Sequence, residues 1–305
     1  MSVVDVHAHH LPERLGEVFT RLSGRPYPLR HKEDHSRRLA DLDEAGVDEQ
    51  ILGLGAVQPY WPDAAASAEA ARIANDLYAG MCAEVPRFRA FGAVPLPHTG
   101  AAAAEAVRCL DELGFAGIGL GCSADGIVLD DPSLEEFWEA LDDRAAVVYL
   151  HPGVRNDVAV GVADYPMLLG PVFGSPAEEG VALTRLALSG AFRRHRRIRW
   201  IAGAMGGSLV TAHGKLFHSL GFASKTGQEF DVDAIREDFR SLWYDTSSLD
   251  PVLATAAREA GLTGRLIFGS DAPWGSASAA LRALHENLPG EATQILTRAA
   301  HVVRG

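Results

Sequence analysis

Eight short apolar runs recur along the chain, and helical or long polar segments separate each run from the next. They read VVDVHAH (3–9), EQILGLGAV (49–57), RFRAFGAVPL (87–96), FAGIGLG (115–121), AVVYLH (146–151), RIRWIAGA (197–204), SLWYDTS (241–247) and RLIFGSD (265–271). Several are nearly continuous apolar stretches, as expected for parallel strands covered on both faces. Strand and helix alternating eight times predict an α/β fold, a single (β/α)₈ TIM-type barrel.

The spacing of these runs also predicts one domain and two long loops. No change of composition divides the 305 residues, so we expect residues 1–305 to form a single barrel domain. One long loop runs from His10 to about Glu33 after the first strand, and the other from Pro152 to about Pro176 after the fifth. Both would lie on the same rim of a barrel, where long loops tend to be functional.

Composition excludes several classes of function. The net charge of −12 disfavours a nucleic-acid partner, since phosphate contacts need a basic face. No apolar run approaches the roughly 20 residues that span a bilayer, and no secretory signal is visible at the N-terminus. The three cysteines show no CxxC spacing. We therefore expect a cytoplasmic protein without membrane segments.

Candidate metal ligands lie at the ends of three predicted strands. In DVHAH, strand alternation places Asp5, His7 and His9 on one face. An HxH pair alone is also compatible with two satisfied core histidines. His151 closes the fifth run and Asp271 the eighth, and the C-terminal ends of barrel strands form one rim. Three imidazoles and one carboxylate suit Zn²⁺, with Mn²⁺ and Fe²⁺ as alternatives.

The fourth run predicts that only one metal ion is bound. It ends in GLGCS, without a Lys or Glu that could bridge a second ion. Cys122 in this segment is interpreted as a small buried residue rather than a soft ligand.

An ordered series of motifs makes the chain resemble the amidohydrolase superfamily. The series includes DVHAH, LDEAGVDEQIL, IANDLYA, VPRFRAFGAVPL, ELGFAGIGL, LHPG, LTRLALSGAFRRHRRIRWIAGAMGG, WYDTS and FGSDAPWG. More narrowly, it is similar to the branch with 2-amino-3-carboxymuconate-semialdehyde decarboxylase and the o-hydroxybenzoate (resorcylate-type) decarboxylases. The resemblance implies His7, His9, His151 and Asp271 as metal ligands. Dimers are common among such proteins, so a homodimer is also expected.

One position departs from that family. Its members usually carry an acid/base histidine after the sixth strand, and Ala204 in GAMGG stands there. Alanine can neither bind metal nor carry a proton. An engineered substitution, divergence to another chemistry and a non-catalytic relative all remain open. His213, nine residues on, would have to fold back to replace the missing group.

The resemblance implies a metal-dependent lyase that decarboxylates a small aromatic or unsaturated carboxylic acid, with Asp271 moving the proton. A hydrolase or hydratase of a related acid, lactone or amide would use Asp271 as the base, and a non-catalytic metal-binding relative is the third alternative. Asp5 is expected to orient a ligand imidazole. Candidate substrate contacts are Arg25 and Arg30 for a carboxylate, and Trp61 and Trp274 for an aromatic ring.

Overall fold

The computed structural model describes residues 2–27, 34–153, 159–223, 225, 227 and 229–304. Eight parallel strands form one sheet in the order β1-β2-β3-β4-β7-β8-β9-β10. They are β1 (Val4–His9), β2 (Glu49–Gly53), β3 (Phe88–Gly92), β4 (Gly117–Gly121), β7 (Val147–His151), β8 (Arg199–Ala202), β9 (Trp243–Asp245) and β10 (Leu266–Ile267). The short strands β5 (Ser123–Ala124) and β6 (Ile127–Val128) form a separate antiparallel pair. Within these residues no helix is both long and apolar enough to cross a bilayer.

Hydrogen bonds between the first strand and the segment after the last one close the sheet. Val6 N donates to Phe268 O at 3.0 Å, and His9 N donates to Ala272 O at 2.6 Å. The predicted α/β barrel is confirmed. Its last strand is shorter than the sequence indicates, because the chain leaves the ladder at Ile267, four residues before Asp271.

Helices surround the barrel. They are α1 (Glu13–Ser23), α2 (Ser36–Ala45), α3 (Ala64–Glu84), α4 (Thr99–Val107), α5 (Glu135–Asp143), α6 (Ser175–Leu188), α7 (Ala191–Arg194), α8 (Leu209–Ala223), α9 (Val232–Ser241), α10 (Pro251–Glu259), α11 (Ala277–Asn287) and α12 (Ala292–Arg304). The Ala-rich α3 shows why these segments are helical: Asp63 caps its first turn by accepting from Ala66 N, and the chain meets Pro86 just beyond its end.

The two predicted long loops differ in structure. The loop after β1 contains helix α1, whose buried Leu15 and Phe19 anchor it to the core, so it is not one continuous loop. The loop after β7 keeps little regular structure: its described part has short helical turns at Val162–Asp164 and Gly170–Gly174 before α6 begins.

A register shift in β1 corrects the predicted side-chain alternation. The pairing with β2 slips between Asp5 and Ala8. Val4 and Val6 consequently pack with Tyr149 in the smaller apolar cluster, while Asp5 accepts from Gln50. Gln50 in turn accepts from Arg38 of helix α2. Asp5 therefore faces the helix layer and does not share a face with His7, because the extra residue at the bulge changes the side-chain phase.

Candidate metal centre

The structure brings the four predicted ligands together at the C-terminal mouth of the barrel. His7 and His9 lie on β1, His151 is the last residue of β7, and Asp271 follows β10. One nitrogen or oxygen of each residue lies within 4.8 Å of those of the other three. Residues separated by more than a hundred positions along the chain thus form one compact donor cluster.

Asp271 reaches this cluster through a turn of unusual backbone conformation. Its φ is +58°, in the left-handed region that aspartate tolerates better than most residues. Its backbone N–H donates to His7 O at 2.8 Å. Asp271 Oδ1 then lies 2.8 Å from His9 Nε2 and 3.3 Å from His7 Nε2. The turn, rather than the strand itself, places the carboxylate above the imidazoles.

Hydrogen bonds fix the tautomers of two of the histidines. His7 Nδ1 lies 3.0 Å from Asp245 Oδ2, and His151 Nδ1 lies 2.7 Å from Pro152 O. An ionised carboxylate and a peptide carbonyl only accept hydrogen bonds, so each Nδ1 carries the proton. The Nε2 lone pairs of both rings are then free for a ligand, which is the usual arrangement around a protein-bound metal.

Burial and the neighbouring carboxylates set the charge of the cluster. Burial lowers the pKa of His9 and lowers that of His151 well below its ordinary value. Burial also opposes charge on His7, but the carboxylates of Asp245 and Asp271 raise the pKa of that ring to about 9. Burial opposes ionisation of Asp271 as well, yet the rings of His7 and His9 lower its pKa. The cluster therefore favours an added positive charge, which a metal ion supplies in place of a proton.

The donor set fits a divalent cation. His7 Nε2 and His9 Nε2 are only 3.0 Å apart, and both approach Asp271 Oδ1. For bonds of about 2.1 Å, ligand atoms at the corners of a tetrahedron are about 3.4 Å apart, close to these separations. Converging imidazole lone pairs repel each other unless a proton or a cation lies between them. Three nitrogens and one carboxylate suit Zn²⁺, Mn²⁺ or Fe²⁺.

Asp245 orients the His7 ring, although no sequence motif pointed to that role. It is fully buried at the end of β9, and Tyr149 Oη donates to its Oδ2 at 2.7 Å. Ser247 N donates to its other oxygen at 2.8 Å. The role expected of Asp5 is wrong: Asp5 accepts from the backbone N–H of His7 and of Ser270 and joins the two ends of the barrel seam. Asp245 is the last residue of β9, but the predicted strand runs on to Ser247, so the strand-end rule that found His151 does not select it.

Ala204 lies in the turn that follows β8. Four consecutive residues from Ala204 to Gly207 have positive φ, with +40° at Ala204 and +60° at Met205. His213 lies on α8, with its ring centroid 4.7 Å from that of Phe217. Burial lowers the pKa of His213, and the charges of Arg236 and Arg240 lower it further. His213 belongs to the helix layer, so the structure gives no sign that it folds back towards the ligands.

The predicted substrate contacts lie in different surroundings. Trp274 is 59% exposed three residues after Asp271, at the rim. Trp61 is buried against Phe19, and its indole N–H donates to Tyr27 Oη at 3.0 Å, so it packs in the core. Arg25 is exposed after α1. Arg30 lies outside the described residues, and all four assignments stay predictions.

Cys122 is buried just after β4, and burial raises the pKa of its thiol well above the usual value. A protonated thiol is a poor metal ligand, in agreement with its interpretation as a small buried residue.

Comparisons with known proteins agree with this geometry. Gamma-resorcylate decarboxylase from Rhizobium sp. (strain MTP-10005) is 39% identical over 184 residues, 56% of this chain and 55% of that protein, so the chain spans about half the length of that relative. Gamma-resorcylate decarboxylase from Polaromonas sp. (strain JS666) is 32% identical over 253 residues, 78% of this chain and 76% of that protein. A solved 2,6-dihydroxybenzoate decarboxylase in complex with 2,6-dihydroxybenzoate has a TM-score of 0.83 at 26% identity, covering 100% of this chain and 99% of that one.

The family model described as Amidohydrolase matches residues 4–300, a range that includes all four clustered side chains and all eight strands of the barrel. The resemblance drawn from the sequence motifs is confirmed, and the chain belongs to the amidohydrolase family.

Proposed function

We propose that this protein is a metal-dependent decarboxylase of a small aromatic acid with a hydroxyl group ortho to the carboxylate. The observation that carries the proposal is the convergence of three imidazole nitrogens and one carboxylate at the mouth of the barrel. The relatives support the reaction type, since two that match are gamma-resorcylate decarboxylases. A similar solved structure holds 2,6-dihydroxybenzoate, an acid of this class.

In this proposal His7, His9, His151 and Asp271 hold one divalent cation. When bound, such a cation supplies positive charge that binds the oxygens of the acid and stabilises negative charge developing on them. We propose Zn²⁺ as the metal bound in vivo, with Mn²⁺ and Fe²⁺ as the alternatives.

The side chains around the cluster keep it rigid. Asp245 accepts from the Nδ1–H of His7, and Tyr149 and Ser247 hold Asp245 in turn. The buried His7 ring therefore has one orientation, and fixed donors need little reorganisation during the reaction. The same hydrogen bonds keep the proton of His7 on Nδ1, away from the substrate.

Asp271 is more open to an incoming acid than His7 and His9. Its side chain is 36% exposed, against 3% for His7 and 10% for His9. Decarboxylation requires that the ring carbon gain a proton while the bond to the carboxylate breaks and CO₂ leaves. Asp271 is the group of the cluster best placed to exchange a proton with the substrate. The exposed Trp274 beside it would contact the aromatic ring.

The proposal is tested by supplying the metal-loaded protein with 2,6-dihydroxybenzoate and measuring CO₂ together with the phenol formed. We expect equal amounts of both products. Hydrolysis of a lactone or amide without CO₂ release would favour the alternative hydrolase. Full metal occupancy with no turnover of any acid would favour a binding protein. The homodimer and the cytoplasmic location are further proposals, which sedimentation and cell fractionation would check.

A further inference from the structure

Glu179 is a buried carboxyl group without a hydrogen-bond partner. It lies in the first turns of α6 with 0% exposure, and neither carboxyl oxygen accepts a hydrogen bond from a described residue. Its neighbour Glu178 differs: its Oε1 accepts from Ser123 Oγ at 2.8 Å and its Oε2 from Gly153 N at 2.7 Å. Two adjacent acids on one helix thus have opposite environments, and of the two only Glu178 accepts hydrogen bonds from the described residues.

The groups around Glu179 oppose its ionisation. Burial is the main reason that its pKa lies well above the usual value, and the charges of Asp245 and Glu178 add to this. The nearby Gly203 amide favours the carboxylate form of Glu179, but its N–H already donates to Leu150 O at 3.0 Å. The other titratable groups that interact with Glu179 are uncharged at neutral pH: Cys122, Tyr149 and Tyr244. An unpaired buried charge is so costly that such a group stays neutral instead.

Glu179 also lies against the turn that contains Ala204. A side-chain carbon at Gly207 would come within 3.0 Å of the Cβ of Glu179. The start of α6 is bonded to the same turn, because Ser208 N donates to Pro176 O at 2.8 Å. The glycine at position 207 leaves room for Glu179, and the carboxyl group lies near the amide of Gly203, the residue before Ala204.

Asp245 connects this acid with the metal centre. It interacts electrostatically with Glu179 and hydrogen-bonds to His7. Asp245 accepts from three different residues, whereas Glu179 accepts from none of the described residues. A satisfied carboxylate beside an unsatisfied carboxyl is the pattern that separates a base from an acid in enzyme sites.

We propose that Glu179 is held as a neutral carboxylic acid and supplies the proton that position 204 cannot carry. This assignment rests on the proposed decarboxylation, in which the ring carbon takes up one proton for each CO₂ released. The proton leaves the carboxyl O–H of Glu179, and the ring carbon receives it through Asp271, the group proposed above to exchange a proton with the substrate, as the bond to CO₂ breaks. The resulting carboxylate, disfavoured by burial and by Asp245, then regains a proton from water.

The test compares wild type with Glu179→Gln, which keeps the shape and cannot give up a proton. We expect kcat to fall about 100-fold or more, as for loss of a general acid, with KM little changed. Glu179→Asp, which keeps a carboxyl group, should recover part of the rate. Ala204→His should raise kcat in the Glu179→Gln background and change it little in wild type.

Two measurements read the protonation state without turnover. The infrared band of a protonated carboxyl group at neutral pH should be present in wild type and lost in Glu179→Gln. The pKa of Glu179 is raised in the folded state, so the folded protein holds the extra proton. Its stability should therefore fall as pH rises from the unfolded pKa, about 4.5, through the folded pKa, and this part of the fall should be absent in Glu179→Gln.

Each outcome decides the question. Unchanged kcat in Glu179→Gln, with an active wild type, overturns this assignment and leaves the decarboxylase proposal standing. No infrared difference between the two proteins also overturns it. A wild type that carries the band but releases no CO₂ from any o-hydroxy acid overturns the decarboxylase proposal, and the role in proton supply fails with it.

Discussion

The two ends of the barrel differ in what their charged side chains contact. At the C-terminal mouth, His7, His9 and Asp271 approach each other, with imidazole nitrogens 3.0 Å apart. At the N-terminal end, arginines line a cavity of about 690 Å³ and donate to backbone carbonyls. Arg199 donates to Val302 O at 2.6 Å, and Arg298 donates to Leu266 O at 2.6 Å.

The difference separates a ligand site from a structural one. Arg199 and Arg298 of the N-terminal cavity donate to carbonyls at strand and helix ends. The donors at the mouth have no such partner on the side where they converge. Size alone would direct attention to the N-terminal cavity, whereas the chemistry of the donors directs it to the mouth.

The largest effect should follow removal of one ligand. His151→Ala takes one of four donors from the cluster, so we expect loss of bound metal and of CO₂ release with little change in fold. Elemental analysis measures the bound metal, and circular dichroism measures the fold. His213→Ala, which removes a histidine on the outer helix α8, is the control and should keep its metal. Retention of metal by His151→Ala would contradict the assignment of the centre.

A smaller effect should follow loss of the partner of His7. Asp245→Asn removes the negative charge and replaces one acceptor oxygen by an NH₂ donor, so the side chain can no longer accept on both sides from His7, Tyr149 and Ser247. Metal affinity should fall about 10–100-fold, as is usual for such outer hydrogen bonds. Asp233→Asn, at an acid whose side chain is 94% exposed, provides the control. Equal affinities of the two variants, measured by competition with a chelator, would show that Asp245 has no part in binding.

The sequence predicts the mouth better than its surroundings. His7 and His151 were found because strand ends meet at one rim whatever the loops do. Asp271 was found as well, although its position depends on a turn of positive φ that no local pattern indicates. Glu179 was missed, because two adjacent acids on a helix indicate a solvated face. Only the packing of α6 against Gly207 reveals that one of them is buried.

A change in backbone packing alone should also weaken the centre. Gly55 has φ +58°, and a Cβ there would overlap Cε1 and Nδ1 of His9. We expect Gly55→Ala to shift that ring and lower metal affinity about tenfold, since overpacking costs roughly 1–3 kcal/mol. Gly46→Ala is matched in φ, at +63°, with no atom within 4 Å of the added carbon. Equal metal affinity in the two variants would contradict this prediction, because overlap with the His9 ring would then have no effect on binding.

The N-terminal end should respond in the opposite way. Arg298→Ala removes hydrogen bonds to Thr263 O and Leu266 O beside the last strand, so we expect unfolding to become easier by about 1–2 kcal/mol. Metal content and kcat should stay unchanged, because these carbonyls lie at the end of the barrel away from the donors. Arg282→Ala, at an exposed arginine, should change stability by less than about 0.5 kcal/mol. Denaturant unfolding measures the stability of both variants, and elemental analysis measures their metal content. Loss of metal in Arg298→Ala would mean that the two ends are coupled through the strands.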